Sequence, residues 1–206
     1  MARVEYFYSA HSVYAYLGAQ RLYEICARTG ATLVHRPMLL GPVMQAAGGL
    51  SFRDRPKAQL AYFFGREITR WAEWRGLPII GHRPTTHDAP YDLANRLIIA
   101  AQDQGAGADA LSFALLQAHW RDDADLSDEA LLARVVGESG LDFADLRRRA
   151  DSPDIIAQHD ANTEAAIALP VFGSPTYVVD GDPFYGQDRL DLVERAVIRP
   201  FARSGN

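Results

Sequence analysis

The period of the apolar positions changes along this chain. Val4 to Tyr8 is a β-branched and aromatic run that predicts a strand, and a break at Ser9-Ala10-His11-Ser12 follows. From about Val13 to Arg28 the spacing turns helical. Ala15, Tyr16, Ala19, Leu22, Tyr23 and Cys26 form one stripe, and Gly30 is placed to close the helix. Thr32 to Arg36 predicts a second strand, stopped by Pro37. Strand, helix and strand in this succession favour a parallel pair with a right-handed crossover.

The stretch from about Gly41 to Leu169 carries no convincing strand. Leu60, Phe64, Ile68 and Trp71 recur at helical intervals, as do Leu93, Leu97 and Ala101, then Phe113, Leu116 and Trp120. Ser127-Asp-Glu-Ala and Asp142-Phe-Ala-Asp read as helix starts, and Asp160 to Ala168 as one more helix. A block of about four to six helices is expected. The end returns to β: Thr176 to Val179, a turn signal at Asp180-Gly181, a partner strand at Phe184-Tyr185, and a last helix with Leu190, Val193 and Val197 on one face.

The order β-α-β, helices, β-β-α implies an α/β chain resembling a thioredoxin fold with a helical domain inserted between its βαβ and ββα halves. On that reading residues 1–40 and 170–206 form the thioredoxin-like domain and 41–169 the insert. The 206 residues suffice for one sizeable core without staples. Twenty-one Lys and Arg against 26 Asp and Glu leave a net charge of −5, which argues against a nucleic-acid or anionic-membrane partner. The longest aliphatic run, Leu97 to Ala101, is far short of the roughly 20 residues of a membrane span. No leader is evident, and a cytoplasmic location is expected.

Three segments carry candidate chemistry. Ser12-Val13-Tyr14-Ala15 lies where a thioredoxin-like protein would hold Cys-x-x-Cys; with Ser12 and Ala15 there, thiol–disulfide exchange is excluded. A helix N-terminus still favours an anion such as a thiolate brought by a ligand. The plain alternative is that Ser12 is an ordinary N-cap. At Phe172-Gly-Ser-Pro-Thr176, a cis Ser174–Pro175 bond would turn the Ser174 backbone toward that helix, where it could pair with an extended peptide-like ligand. In Gly186-Gln-Asp-Arg-Leu-Asp191, Asp188 reads either as the cap of the last helix or, with Gln187, as a holder of a ligand's amino and carboxylate groups. Arg53, Arg55 and Lys57 form a basic run, either a solvated face or a carboxylate clamp, and His11 could shuttle a proton beside Ser12. The six histidines lack zinc-motif spacing, so no metal is expected. Cys26, the single cysteine, falls on an apolar stripe and reads as buried and inert, while Trp71, Trp74 and Trp120 read as core or interface.

Together with the chain order, these segments resemble the 2-hydroxychromene-2-carboxylate isomerases, relatives of kappa-class glutathione transferases and of the DsbA group. The matching stretches are Tyr6-Phe-Tyr-Ser-Ala-His-Ser-Val-Tyr-Ala-Tyr-Leu17, Arg36-Pro-Met-Leu-Leu-Gly41, Arg70-Trp-Ala72 with Gly76-Leu-Pro78, and Val171-Phe-Gly-Ser-Pro-Thr176 through Phe184-Tyr-Gly-Gln-Asp-Arg-Leu190. Val13 departs from the proline usual after the family's serine. The resemblance implies glutathione as cofactor, with Ser12 beside its sulfur, Ser174 and Pro175 against its backbone, and Gln187 and Asp188 at its γ-glutamyl end. It also implies an aromatic carboxylate substrate, interconversion of 2-hydroxychromene-2-carboxylate and trans-o-hydroxybenzylidenepyruvate in naphthalene-type catabolism, and a possible homodimer. His11, Arg53, Arg55 and Lys57 would meet the substrate. Two alternatives stay open: a kappa-like glutathione transferase or peroxidase, and a DsbA-like scaffold that has lost its cysteines and only binds.

Overall fold

A computed structural model describes residues 1–50 and 54–202. Its sheet has four strands, β1 (Arg3–Tyr8), β2 (Thr32–Pro37), β3 (Thr176–Val179) and β4 (Asp182–Tyr185), in the order β2-β1-β3-β4. The β1–β2 pair is parallel, and β3 runs antiparallel to both β1 and β4. This is the mixed sheet that the two flanking motifs predict. Pro37, expected to stop β2, is its last residue and sits opposite Tyr8. An edge strand tolerates the missing N–H. The β3–β4 loop is the two-residue Asp180-Gly181 turn, with φ of 47° and 91°, the paired positive values that suit a tight hairpin.

Helix α1 (Val13–Thr29) returns the chain from β1 to β2 and ends on Gly30 in the left-handed region. Between the two β segments the described residues hold α2 (Leu40–Ala46), α3 (Lys57–Ala61), α4 (Glu67–Arg75), α5 (Asp92–Ala100), α6 (Ala106–Asp122), α7 (Glu129–Glu138), α8 (Phe143–Ala150) and α9 (Pro153–Ala168). That exceeds the expected number, because short helices such as α2 and α3 leave almost no apolar periodicity. Asp128 and Asp142 cap α7 and α8 with their side chains. Helix α9 starts seven residues before the predicted Asp160, capped by Ser152 with Pro153 in its first turn. Among the described residues no helix is long and apolar enough to cross a membrane.

Alternation along β1 divides the core. Val4, Tyr6 and Tyr8 point into a cluster shared with α1, α5, α6, α7, α8 and the last helix, α10 (Leu190–Ile198), whereas Phe7 points to the opposite face with Met38, Val43, Ala166, Val171 and Val178. Tyr6 stacks on Tyr8 at 3.9 Å and on Tyr177 at 5.4 Å between centroids. Cys26 is buried as expected, and burial with the nearby Asp109 pushes its thiol up to about 12.

Candidate active site

Ser12 lies between β1 and α1 with extended backbone, and its Oγ accepts from the Ala15 N–H at 3.3 Å, so the cap reading holds. The same hydroxyl donates to the Ser174 carbonyl at 3.3 Å. Ser174 comes from the segment before β3, its bond to Pro175 is cis, and its own Oγ accepts from the Ser9 N–H at 3.2 Å. Residues 162 positions apart thus meet at the start of α1.

A cavity of about 350 Å³ opens there. Ser12, Val13 and Tyr14 form its floor with Gly173, Ser174 and Tyr185; Met44, Phe63, Phe64, His87 and Trp120 from the helical stretch face them. His11 lines it too, stacked on Tyr91 at 3.9 Å, with its Nδ1 buried and without a partner among the described residues. Burial and the neighbouring His87 hold the His11 imidazole well below its ordinary pKa. Arg55 reaches the cavity with a guanidinium 5.9 Å from the Phe64 ring, and its Nε is likewise buried, without a partner among the described residues.

The other nominated residues lie differently. Lys57 is exposed at the start of α3, and Arg53 falls outside the described residues. Gln187 is buried and accepts from Arg75 Nη2 at 3.4 Å. It packs against α1 at Gly18, where an added Cβ would stand 2.7 Å from the Gln187 Cβ, so only glycine admits this approach. Asp188 does not cap the last helix. Residues 187–189 form a separate 3₁₀ turn, α10 begins at Leu190, and no side chain caps it. The turn intervenes because Gly186, at φ 103°, reverses the chain first. The Asp188 carboxylate is left exposed, 3.6 Å from Arg189.

The sequence reading missed most of the cavity's far wall. Phe64, expected at helical spacing with Leu60, Ile68 and Trp71, is more than a third exposed and lines the cavity, where a π-helical turn at Tyr62–Arg66 shifts the aromatic run relative to the buried Ile68. Trp120 has the helical spacing of a core or interface residue. It is buried, but it also lines the cavity and donates from Nε1 to the His11 carbonyl at 2.8 Å. Arg83 and His87 sit in the Pro-rich loop between α4 and α5; a loop held between helices was the only signal for them.

Comparison with known proteins places this architecture. A 2-hydroxychromene-2-carboxylate isomerase from Pseudomonas putida is 27% identical over 95% of this chain and 94% of its own length. A protein of the same name from Sphingobium xenophagum is 26% identical over 93% and 95%. A solved structure of a 2-hydroxychromene-2-carboxylate isomerase superposes with a TM-score of 0.80 at 28% identity, covering 96% of this chain and 95% of that one. These relatives support an isomerase. Residues 3–197 match the DSBA-like thioredoxin domain, and with nearly its whole length inside that match the chain belongs to the DSBA-like family.

Proposed function

We propose that this protein is a glutathione-dependent cis–trans isomerase that interconverts 2-hydroxychromene-2-carboxylate and trans-o-hydroxybenzylidenepyruvate. The observation that carries the reading is the meeting of Ser12 and Ser174 at the N-terminus of α1, inside a cavity whose Arg55 Nε is buried without an acceptor among the described residues. An unsatisfied buried guanidinium N–H calls for an anionic oxygen, and both glutathione and the substrate bring carboxylates. The names of the curated relatives support the same reaction.

Glutathione, held at Ser12 and Ser174, would supply a thiolate nucleophile suited to reversible addition to a conjugated double bond. The protein must supply its surroundings. Ser12 makes two 3.3 Å hydrogen bonds, long enough for its hydroxyl to turn and donate to an incoming sulfur anion. The free N–H groups and the dipole of the 17-residue α1 favour that anion further. The Ser174 backbone beside Pro175 would offer strand-like pairing to a peptide, and the exposed Asp188 carboxylate, outside the cavity lining, would meet a ligand ammonium only if the γ-glutamyl end extends beyond the cavity. Phe63, Phe64, Val13 and Met44 form an apolar bed for an aromatic ring, and the Arg55 cation serves a carboxylate or a developing enolate. In this reading residues 41–169 are an inserted domain that supplies the substrate side, and residues 1–40 with 170–206 supply the thiol side. A reducing cytoplasm suits a thiol cofactor.

The test is turnover of trans-o-hydroxybenzylidenepyruvate with and without reduced glutathione. Turnover should require both. Ser12→Ala should lower kcat/KM about 100-fold or more, the scale of losing one donor to a reacting anion. Its structural cost should be only about 1 kcal/mol, that of a lost N-cap. Absence of wild-type turnover would sink the isomerase reading. Conversion of an aryl halide in its place would favour a transferase. Equal turnover by Ser12→Ala would remove the serine from the mechanism.

A further inference from the structure

The proposed reaction leaves unused a file of imidazoles that runs to the cavity. His119, buried in the last turn of α6, holds its Nδ1 2.9 Å from the Ala124 carbonyl. A carbonyl only accepts, so that nitrogen carries the proton. In a neutral ring the other nitrogen, Nε2, is then a lone-pair acceptor, and His87 Nδ1 stands 2.8 Å from it. His87 must therefore donate from Nδ1. Its remaining nitrogen, Nε2, is left as an acceptor on a residue that lines the cavity.

The rings are fixed in this arrangement. His87 and His119 stack at 5.1 Å between centroids with 20° between planes, and Trp120 meets both edge-on at 5.4 and 5.8 Å. The His87 loop is tied down by Thr85 N–H donating to Asp123 at 2.7 Å and by Arg83 paired with both oxygens of Asp88. Burial, His119 and Arg83 together outweigh Asp88 and hold the His87 pKa down at about 3, while burial lowers His119. At neutral pH both rings carry no charge, as the donor–acceptor file requires.

We propose that His87 is a substrate-binding residue whose Nε2 accepts a hydrogen bond from the hydroxyl of a hydroxylated aromatic substrate, and that His119 is the positioning residue fixing the tautomer that makes this possible. The proposal rests on the isomerase reading above, whose open-chain substrate carries an ortho hydroxyl. A fixed neutral acceptor selects for that group in protonated form: an ether has no proton to give, and a phenolate would face a lone pair. With so low a pKa the imidazole orients the hydroxyl and does not take its proton.

Two measurements test this. Nitrogen-15 NMR of the imidazoles in the intact protein at pH 7 reads tautomers without any substrate. His87, identified by the signal lost in His87→Gln, should be neutral with its proton on Nδ1, the tautomer disfavoured in free histidine. His119→Phe should release it to the ordinary form. A protonated His87, or one with its proton on Nε2, overturns the proposal. The second measurement compares KM for trans-o-hydroxybenzylidenepyruvate with the inhibition constant of its o-methoxy analogue, with glutathione present. His87→Phe should raise the former about tenfold and leave the latter unchanged, and His87→Gln, which keeps an acceptor, should recover part of the loss. Turnover with the same discrimination in wild type and both variants overturns the proposal while leaving the isomerase reading intact. A wild type without turnover overturns that reading and the substrate half of this one, and the NMR result then judges the tautomer alone.

Discussion

Two histidine networks in this protein are built to opposite ends. Around His35, on β2, both ring nitrogens and the backbone are answered, although the neighbouring Tyr23 hydroxyl is buried without a partner among the described residues. Its Nδ1 meets the Tyr8 hydroxyl at 2.9 Å, its Nε2 meets Asp109 at 2.8 Å, and Tyr8 continues to Ser112 at 2.6 Å. Even its backbone is held at both ends by the Gln102 amide, at 2.8 and 2.7 Å. Around the cavity the pattern breaks off. Among the described residues His11 Nδ1 and Arg55 Nε are buried without partners, and the His119–His87 file ends on an acceptor at the cavity wall. A buried polar group without a partner costs about 1–3 kcal/mol; others occur away from the cavity, at Tyr23, Arg75, Arg96 and Tyr177, and those at His11 and Arg55 differ in lining it. The closed network ties β2 to α6, and the open one lines the candidate site.

The sharpest way to break this contrast is to cut the closed network. His35→Phe should destabilise the protein by about 2–4 kcal/mol, because it leaves Tyr8 and Asp109 each short of a partner. Denaturant unfolding would read the loss, and glutathione affinity of the folded fraction should not move. If affinity fell while stability held, the two networks would have exchanged roles. Arg55→Ala should do the reverse. Losing charge-assisted hydrogen bonds worth about 1.5–3 kcal/mol predicts binding weaker by about one to two orders of magnitude, with little change in melting temperature. Calorimetric titration with reduced glutathione, together with KM for the carboxylate substrate, checks both possible ligands.

Acid offers a gentler test. His11, His87 and His119 are held neutral in the fold below the ordinary value of about 6.5, while the unfolded chain binds protons there. Since the unfolded state binds more protons, stability rises with pH. The contribution is full above about pH 6.5 and is lost as pH falls toward the His87 value of about 3. Melting temperature should decline from pH 7 to pH 5, and His87→Gln should flatten the decline; an unchanged slope would mean that the cavity histidines are not held neutral. The smallest effect belongs to Lys57→Ala. Its side chain is exposed, so affinity and stability should stay within about 0.5 kcal/mol. A larger loss of affinity would extend the open network beyond Arg55.

The sequence was informative wherever local chemistry decides. The β-α-β and β-β-α ends, the Asp180-Gly181 turn, the Gly30 helix stop and the Ser12 cap are each set by a few adjacent residues, and each was legible. The resemblance to the isomerases, carried by motifs spread over most of the chain, gave the family. Local signals also misled: Asp188 has the composition of a helix cap, but a 3₁₀ turn after Gly186 takes the chain elsewhere. Phe64 has the spacing of a core residue, but the π-helical turn moves it to the cavity wall.

The chain's own sequence thus determined the order of elements, the lack of a reactive cysteine pair, and the serine waiting at a helix start. Only the tertiary structure decided which charged and aromatic residues join that serine. Arg55 and not Lys57 reaches the cavity, and His87 is presented by a loop that Asp123 anchors from beyond α6. Periodicity reports which face of an element is buried. It carries no information about which distant faces meet, because that is settled by packing between elements far apart in the chain.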